Sequence, residues 1–279
     1  VTNEIAGFQY RLTHALPGVF PGAHPGQMLG AGQLFKRHEP LIANPDPRRI
    51  DLRASLLDPF GGYRVRVYQQ PSQLTVYVIA DLSASMGNKL TLVGDFVAAA
   101  AQSTYEYGDR FGFIGCGPSA TPDWLVPACN LPHTLRKLAE QLRRYRVGGD
   151  ARSLRSVAPL LPKRRSLIFL LSDFHFSLTE LNALIPPLAG HALVPVVCWD
   201  PSEYATLPNW GLARLKDAET GRDRSVFLRP ELKQRIEQAY QRRRVALGRR
   251  LRDFGREPLF LEGRYRSAPI NRYFLQHAL

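Results

Sequence analysis

Sulfur is scarce in this chain and poorly placed for disulfide or thiolate chemistry. The three cysteines, Cys116, Cys129 and Cys198, are odd in number and lack CxxC spacing, which argues against a disulfide framework and against a zinc site. No apolar stretch is long enough to span a bilayer. The opening residues, VTNEIAGFQYRL, lack the charged start and apolar block of a signal peptide, so a cytoplasmic location is expected. Neither zinc-finger spacing nor an RNP-type aromatic motif is present, and no internal repeat is visible. Acidic side chains are in deficit, with 24 Asp and Glu against 37 Lys and Arg, a formal net charge of +13. Such a balance suits nucleic acid or an acidic surface. The basic clusters, however, are scattered and rich in arginine: PDPRR, RRYR, PKRR and QRRRVALGRRLRDFGR. The last reads as an amphipathic helix with Val245, Leu247, Leu251 and Phe254 available for packing, and its charges as a solvated face. Arginine also suits ion pairs with an acidic protein partner. A nucleic-acid binder is therefore kept as an alternative and is not the expected reading.

What the chain does have is a core. Of its 279 residues 44% are hydrophobic, enough to exclude global disorder. Residues 1–72 are rich in Gly and Pro (HALPGVFPGAHPGQMLGAGQ), which predicts turns and short extended pieces rather than long helices. They end in GGYRVRVYQQ, where Tyr63, Val65 and Val67 alternate with arginines as in a half-buried strand. Residues 73–279 then alternate strand and helix. LTVYVIAD is a continuous apolar run, as in a central strand of a covered parallel sheet. A helix through KLTLVGDFVAAAAQSTYEYG closes at Gly108, RFGFIGCG is a strand, and LPHTLRKLAEQLRRYRV is a helix with Leu135, Leu138 and Leu142 on one face. SLIFLLSD is a strand, SLTELNALIPPLAG a helix, and HALVPVVCWD a strand whose Pro195 places it toward an edge or a bulge. A hairpin turning at 219–222, a long helix over 230–254, and a short strand and helix complete the pattern. Alternation of this kind predicts an α/β fold, a mostly parallel sheet with helices on both faces.

In such sheets ligands bind beyond the carboxyl ends of the strands. Two strands end in aspartate, Asp81 in VYVIADLSASMG and Asp173 in FLLSDF, and VGGDARSL brings Asp150 to a loop between two helices. Asp81, Ser83, Ser85, Asp150 and Asp173 are therefore expected at one rim. All five offer oxygen and none offers sulfur or imidazole, a donor set for a hard cation: Mg²⁺ first, with Mn²⁺ or Ca²⁺ as alternatives. The i, i+2, i+4 spacing lets a tight loop aim alternate side chains at one point. Two other readings compete. Ser85 can be an ordinary helix N-cap beside a buried aspartate. SASMG also approaches the G-x-S-x-G elbow, with Ser85 as nucleophile and His191 or His277 as base, but it lacks the first glycine and no HGGG-type segment is present. An aspartyl-phosphate enzyme at Asp81 is weaker still, since Ser83 stands where a second carboxylate is expected.

DxSxS after the first strand, joined to a strand-ending Asp, resembles the metal-ion-dependent adhesion site of von Willebrand factor A-type domains. The chain is most similar to the bacterial A-type proteins encoded beside MoxR AAA+ ATPases, domain-of-unknown-function family 58. PLIANPDPRRIDLRASLLDPFGGYRVRVYQQ places Asp46, Arg49, Ile50, Asp51, Ala54 and Ser55 as the family pattern does, and DPSEYATLP and LKDAETG resemble its later segments. The likeness runs over roughly residues 24–260 and reaches an accessory protein of methanol dehydrogenase systems. It implies a von Willebrand factor A-like fold carrying an N-terminal segment, with Asp81, Ser83, Ser85 and Asp173 at metal-site positions. It also implies a non-enzymatic interaction module that works with a MoxR-type ATPase on a client protein complex, maturing it or loading cofactor or metal. The sequence departs from the pattern where the family's GGT threonine is replaced by Asp150. Either Asp150 ligates and holds metal more tightly, or it points away and Ser153 contributes, or metal-dependent recognition has been lost.

Overall fold

The computed structural model describes residues 5–10, 24–43, 45–119, 121–130, 132–149, 152–216 and 223–277. The chain forms two compact units, one spanning 12–74 and one spanning 75–279 together with the first residues.

In the smaller unit, strand β1 (His24–Pro40) pairs antiparallel with β2 (Arg64–Ser72) through several register shifts. A strand of that length was not legible in the Gly/Pro-rich stretch. Its glycines fall among the register shifts, where a ladder tolerates them. Val65 and Val67 are fully buried while Arg64 and Arg66 point elsewhere, as alternation predicts, but Tyr63 lies outside the strand and is exposed. Between the strands sit a 3-10 turn, Pro47–Arg49, and a short helix α1 (Leu52–Leu56).

Asp51 organises this unit. One carboxylate oxygen caps α1 by accepting from the N–H groups of Arg53 and Ala54 (3.1 and 3.2 Å). The other takes Arg66 Nε at 2.7 Å and His38 Nε2 at 3.1 Å. Arg66, then the Ala54 N–H, hold the Asp51 carboxyl well below the usual carboxylate range, against a smaller opposing effect of burial. Ser55 Oγ donates to Asp51 O and accepts from Arg64 N. Asp46 caps the 3-10 turn and pairs with Arg49. The residues shared with the family pattern are thus local fasteners.

The larger unit holds a six-stranded sheet built from β3 (Thr75–Asp81), β4 (Arg110–Cys116), β5 (Trp124–Cys129), β6 (Leu167–Ser172), β7 (Ala192–Trp199) and β10 (Leu259–Glu262), in the order β10-β7-β6-β3-β4-β5. All neighbours are parallel except β4 and β5. β5 was missed by sequence. Its Pro127 argues against a strand interior, yet β5 is an edge strand, where a missing N–H costs nothing. Pro195 shows the same rule at work. β7 lies inside the sheet, but β10 meets it only from Val196 onward, so at Pro195 the strand has β6 alone beside it.

Alternation along β6 divides the core. Phe169 faces helix α2 (Leu90–Glu106), where it meets Phe96 (5.2 Å between ring centroids) and Phe8 (5.6 Å). Ile168 and Leu170 belong to the opposite face, packed with Leu247 and Leu251 of helix α5 (Pro230–Asp253). The sheet is therefore covered on both faces, the condition under which strands read as unbroken apolar runs. α2 ends as expected, with Gly108 at a φ of +69° just beyond it. Helix α3 (Pro132–Arg144) buries Leu138 and Leu142. Leu135 lies outside the residues whose side chains are described.

Two expectations need correction. The segment read as one helix near 177–190 is only α4 (Leu181–Leu184) followed by a 3-10 turn, because Pro186 and Pro187 cannot continue an α-helix. On α5, Val245 is 58% exposed and does not join Leu247 and Leu251 in the core. The hairpin β8 (Gly211–Lys216) and β9 (Asp223–Leu228) forms as expected, and its turn lies outside the described residues. A final helix α6 (Ser267–Gln276) follows β10. Among the described residues no helix is long and apolar enough to cross a membrane.

Candidate functional site

From β3 the chain moves outward through β4 to β5, then returns to the other side of β3 and moves outward through β6, β7 and β10. The direction of winding reverses between β3 and β6. Beyond the carboxyl ends of strands flanking such a reversal a crevice opens. Asp81 ends β3 and Asp173 follows β6, so the two aspartates flank that point, both 2% exposed.

Each donor is fixed by the backbone that delivers it. Asp81 Oδ1 accepts from Ser83 N (2.8 Å), and Oδ2 accepts from Ser172 Oγ (2.6 Å), which joins the two strand ends directly. The chain then enters a 3-10 turn, Ala84–Lys89, ahead of α2. Ser83 and Ser85 stand one residue apart in this loop with their hydroxyls 3.1 Å from each other. Ser85 is thus no helix cap, and Ser83, at the position before the turn, makes no side-chain capping bond. Burial first, and the neighbouring charge of Asp173 second, push the Asp81 carboxyl up to about 6.

Asp173 is held as firmly. Its Oδ1 accepts from His175 N (3.1 Å), and its backbone carbonyl accepts from Trp199 Nε1 (2.9 Å) at the end of β7. The next residue, Phe174, has a φ of +52°. A bulky residue in the left-handed region is strained, and such strain gathers at functional sites. Here Arg243 of α5 supports it, donating to the carbonyls of Phe174 and Phe176. The His175 ring lies flat against Trp199 (8° between planes), where burial lowers its basicity.

Of the five residues named from sequence, four meet at this rim. Asp150 lies outside the described residues. Its loop does reach the site, since Gly149 O accepts from Ala84 N at 2.9 Å, and the φ of +61° at Gly149 explains the glycine there. Ser153 is buried and donates to Gly117 O (3.1 Å).

Two rim residues were missed. Lys89 is 3% exposed and points its ammonium inward to Ser85 O (3.0 Å), Asp173 Oδ2 (3.1 Å) and Glu203 Oε1 (2.8 Å). Burial works against its charge, but Asp173 and Glu203 outweigh burial and raise its basicity. Glu203 comes from the turn after β7, within the DPSEYATLP segment, and accepts from Tyr240 OH as well. Lys89 had a sequence signal: it stands in helical register with Leu92, Val93, Phe96 and Val97, all buried. Glu203 had none, because only the sheet order brings its turn to the rim.

The donor chemistry fits a hard cation: two carboxylates and two hydroxyls, with Asp81 raised by burial and then by the like charge of Asp173, which a cation would offset. Among the described residues no group of three or more His, Cys, Asp or Glu is arranged to hold a metal ion, so any ion here would rely on the hydroxyls. The competing readings fare differently. His191 lies at the opposite end of the sheet, where Nδ1 accepts from Ser166 N ahead of β6, and the ring of His277 packs on Tyr273 of α6. Neither pairs with Ser85. Of the α5 arginines, Arg243 is tied to the Phe174 loop, Arg244 pairs with Glu262 and Arg252 with Glu257.

Fold and rim together define an α/β protein with an oxygen-lined site at the switch point of a mostly parallel sheet. The chain belongs to the family described as Protein of unknown function DUF58, which matches residues 53–246. It is similar to an "Uncharacterized protein in moxR 3'region" of Paracoccus denitrificans, 39% identical over 99 residues, 36% of this chain and 94% of that protein. It is also similar to an uncharacterized protein of Mycobacterium tuberculosis, 26% identical over 86% of this chain and 78% of that one. The crystal structure of BatB from Bacteroides thetaiotaomicron, a conserved hypothetical protein, matches at a TM-score of 0.40 and 14% identity over 73% of this chain and 98% of that one, too distant to carry an argument.

Proposed function

We propose that this chain is a von Willebrand factor A-like, non-enzymatic interaction module that works beside a MoxR-type AAA+ ATPase in maturing a client protein complex. Its contact point is the rim of Asp81, Ser83, Ser85 and Asp173, taken as a site for Mg²⁺ or a similar divalent ion. The observation that carries the reading is the convergence of these residues at the reversal between β3 and β6. The ATPase enters through the Paracoccus relative, whose description places it in a moxR 3' region.

Asp81 and Asp173 would supply charge to the ion, and the Ser83 and Ser85 hydroxyls neutral oxygen. Four protein oxygens would not fill the shell of such an ion, and a partner's carboxylate could complete it in place of water. The chain's own work is positional. Ser172 locks Asp81, Trp199 and His175 lock Asp173, and the 3-10 turn holds the serines side by side.

Isothermal titration with MgCl₂ tests the site. Binding is expected in the intact protein and is lost in Asp81→Ala/Asp173→Ala. Binding that survives the double substitution refutes the site. Co-purification with the MoxR-type ATPase of the same genome, with and without EDTA, tests the partner. Recovery without the ATPase in either buffer refutes that part.

A further inference from the structure

Lys89 makes the rim unlike a plain carboxylate-hydroxyl site. An ammonium has three N–H donors. Those of Lys89 meet three oxygens from three places in the fold: Ser85 O in the turn after β3, Asp173 Oδ2 after β6 and Glu203 Oε1 in the turn after β7. Its side chain and that of Asp173 are each 2% exposed, so water cannot stand in for either partner. With Lys89 in place, each oxygen of Asp81 and Asp173 already accepts a hydrogen bond. The lysine therefore occupies the electrostatic position that a divalent ion would use.

We infer that Lys89 is the resident cation of this rim: its tethered ammonium holds Asp173 and Glu203 together without a divalent ion, and such an ion binds only by displacing the ammonium from Asp173. The displacement half of this inference rests on the proposed cation site. The argument is Coulombic. Two cations sharing one buried carboxylate repel strongly where the dielectric is low. Glu203 gives the ammonium somewhere to go, because it is 24% exposed and already bonded to the lysine. The flexible four-carbon stem can lean on Glu203 alone while Asp173 turns to the ion. The rim then has two arrangements, lysine-bridged and ion-bound. The second changes the hold on the turn that carries Glu203, and with it the contact from Glu203 to Tyr240 of α5.

Mg²⁺ and Mn²⁺ affinities are compared by titration calorimetry for the wild-type protein, Lys89→Met, Lys89→Gln and Lys89→Arg, with circular dichroism and melting in EDTA as fold checks. Removing the charge is expected to tighten binding at least about tenfold in Lys89→Met and Lys89→Gln, while Lys89→Arg stays near wild type. In EDTA the two neutral variants melt below wild type, and Mg²⁺ narrows the gap. If wild type binds and the neutral variants bind no tighter, the displacement is refuted and the cation site stands. If only the neutral variants bind, the displacement stands and the cation site of the native protein falls. If none binds, both fall. The wild-type protein gives an independent reading through the Nζ–H resonance of Lys89 by NMR. A shift on saturation with Mg²⁺ supports displacement, and an unmoved resonance under saturation refutes it.

Discussion

Asp173 in the larger unit and Asp51 in the smaller one both anchor a cationic side chain through one carboxylate oxygen and a backbone N–H through the other. Their surroundings differ. Lys89 and Asp173 are each 2% exposed, whereas Arg66 is 50% exposed and His38 36%. A buried pair has given up hydration on both sides, so removing one partner strands the other. In the Asp51 pair the carboxylate is only 11% exposed, but Arg66 and His38 lie partly in water and return to it when freed. The same pairing in sequence therefore has different consequences, and burial decides which. Asp51 works as a fastener for the smaller unit, in which the buried apolar residues described are Val65, Val67 and Leu74. Asp173 belongs to a charged cluster that the fold tolerates only because Lys89, Glu203 and the locking hydrogen bonds are all present.

The largest effect expected is therefore at Lys89. Lys89→Ala leaves Asp173 and Glu203 facing each other without a cation, and removing one member of a buried pair typically costs about 3–5 kcal/mol. Thermal melting in EDTA should show the loss. Adding Asp173→Asn to Lys89→Ala should recover part of it, because the stranded charge is gone, and a double-mutant cycle reads the coupling. Additive losses would show that burial does not distinguish the two regions.

Asp51→Asn comes next. It removes the pairing charge and weakens the cap on α1, and a fall of a few degrees in Tm is expected, clearly less than for Lys89→Ala. The pH dependence separates it further. The Asp51 pKa is lowered in the folded protein, so its contribution is complete above the ordinary carboxylate value, about pH 4, and is lost as pH falls below that. Wild type and Asp51→Asn should therefore converge on acidification below about pH 4. Raising NaCl to about 0.5 M should shrink the Asp51→Asn effect and leave the Lys89→Ala effect nearly intact, since salt screens exposed charges and reaches buried ones poorly. A difference between wild type and Asp51→Asn that persists in acid would mean that Asp51 acts through packing.

The contrast also explains what was legible in sequence. The β3 run, the DxSxS loop and the strand-ending Asp173 were visible because each is a local pattern: apolar continuity, a spacing of two, a polar stop. The meeting of the four described donors could be expected because the carboxyl ends of parallel strands share one rim of the sheet. Lys89 was overlooked although its register with Leu92, Val93, Phe96 and Val97 places it on the buried stripe, because a lysine at the start of a helix normally reads as solvated. Glu203 was not legible at all. Its role depends on β7 lying beside β6, a fact of topology. In the smaller unit Asp46, Arg49 and Asp51 stood out as pattern residues, but their partners did not: Arg66, beyond them in β2, makes the bond to Asp51, while Arg49 turns to Asp46.

The smallest expected effect tests the comparison from its other end. Arg155 pairs with Glu180 at 2.6 Å, closer than Lys89 approaches Asp173, yet the two side chains are 63% and 39% exposed. If separation set the value of a pair, Arg155→Ala would be the costlier change. If hydration sets it, each group returns to water when the other is removed, and the side-chain freedom regained offsets much of the lost attraction. The loss should then stay below about 1 kcal/mol and diminish in high salt. Chemical denaturation of Arg155→Ala, measured beside Lys89→Ala in the same buffer, reads both losses on one scale. A loss at Arg155 equal to that at Lys89 would contradict the role given to burial, and with it the reason for treating the rim lysine as the resident cation rather than as one more ion pair.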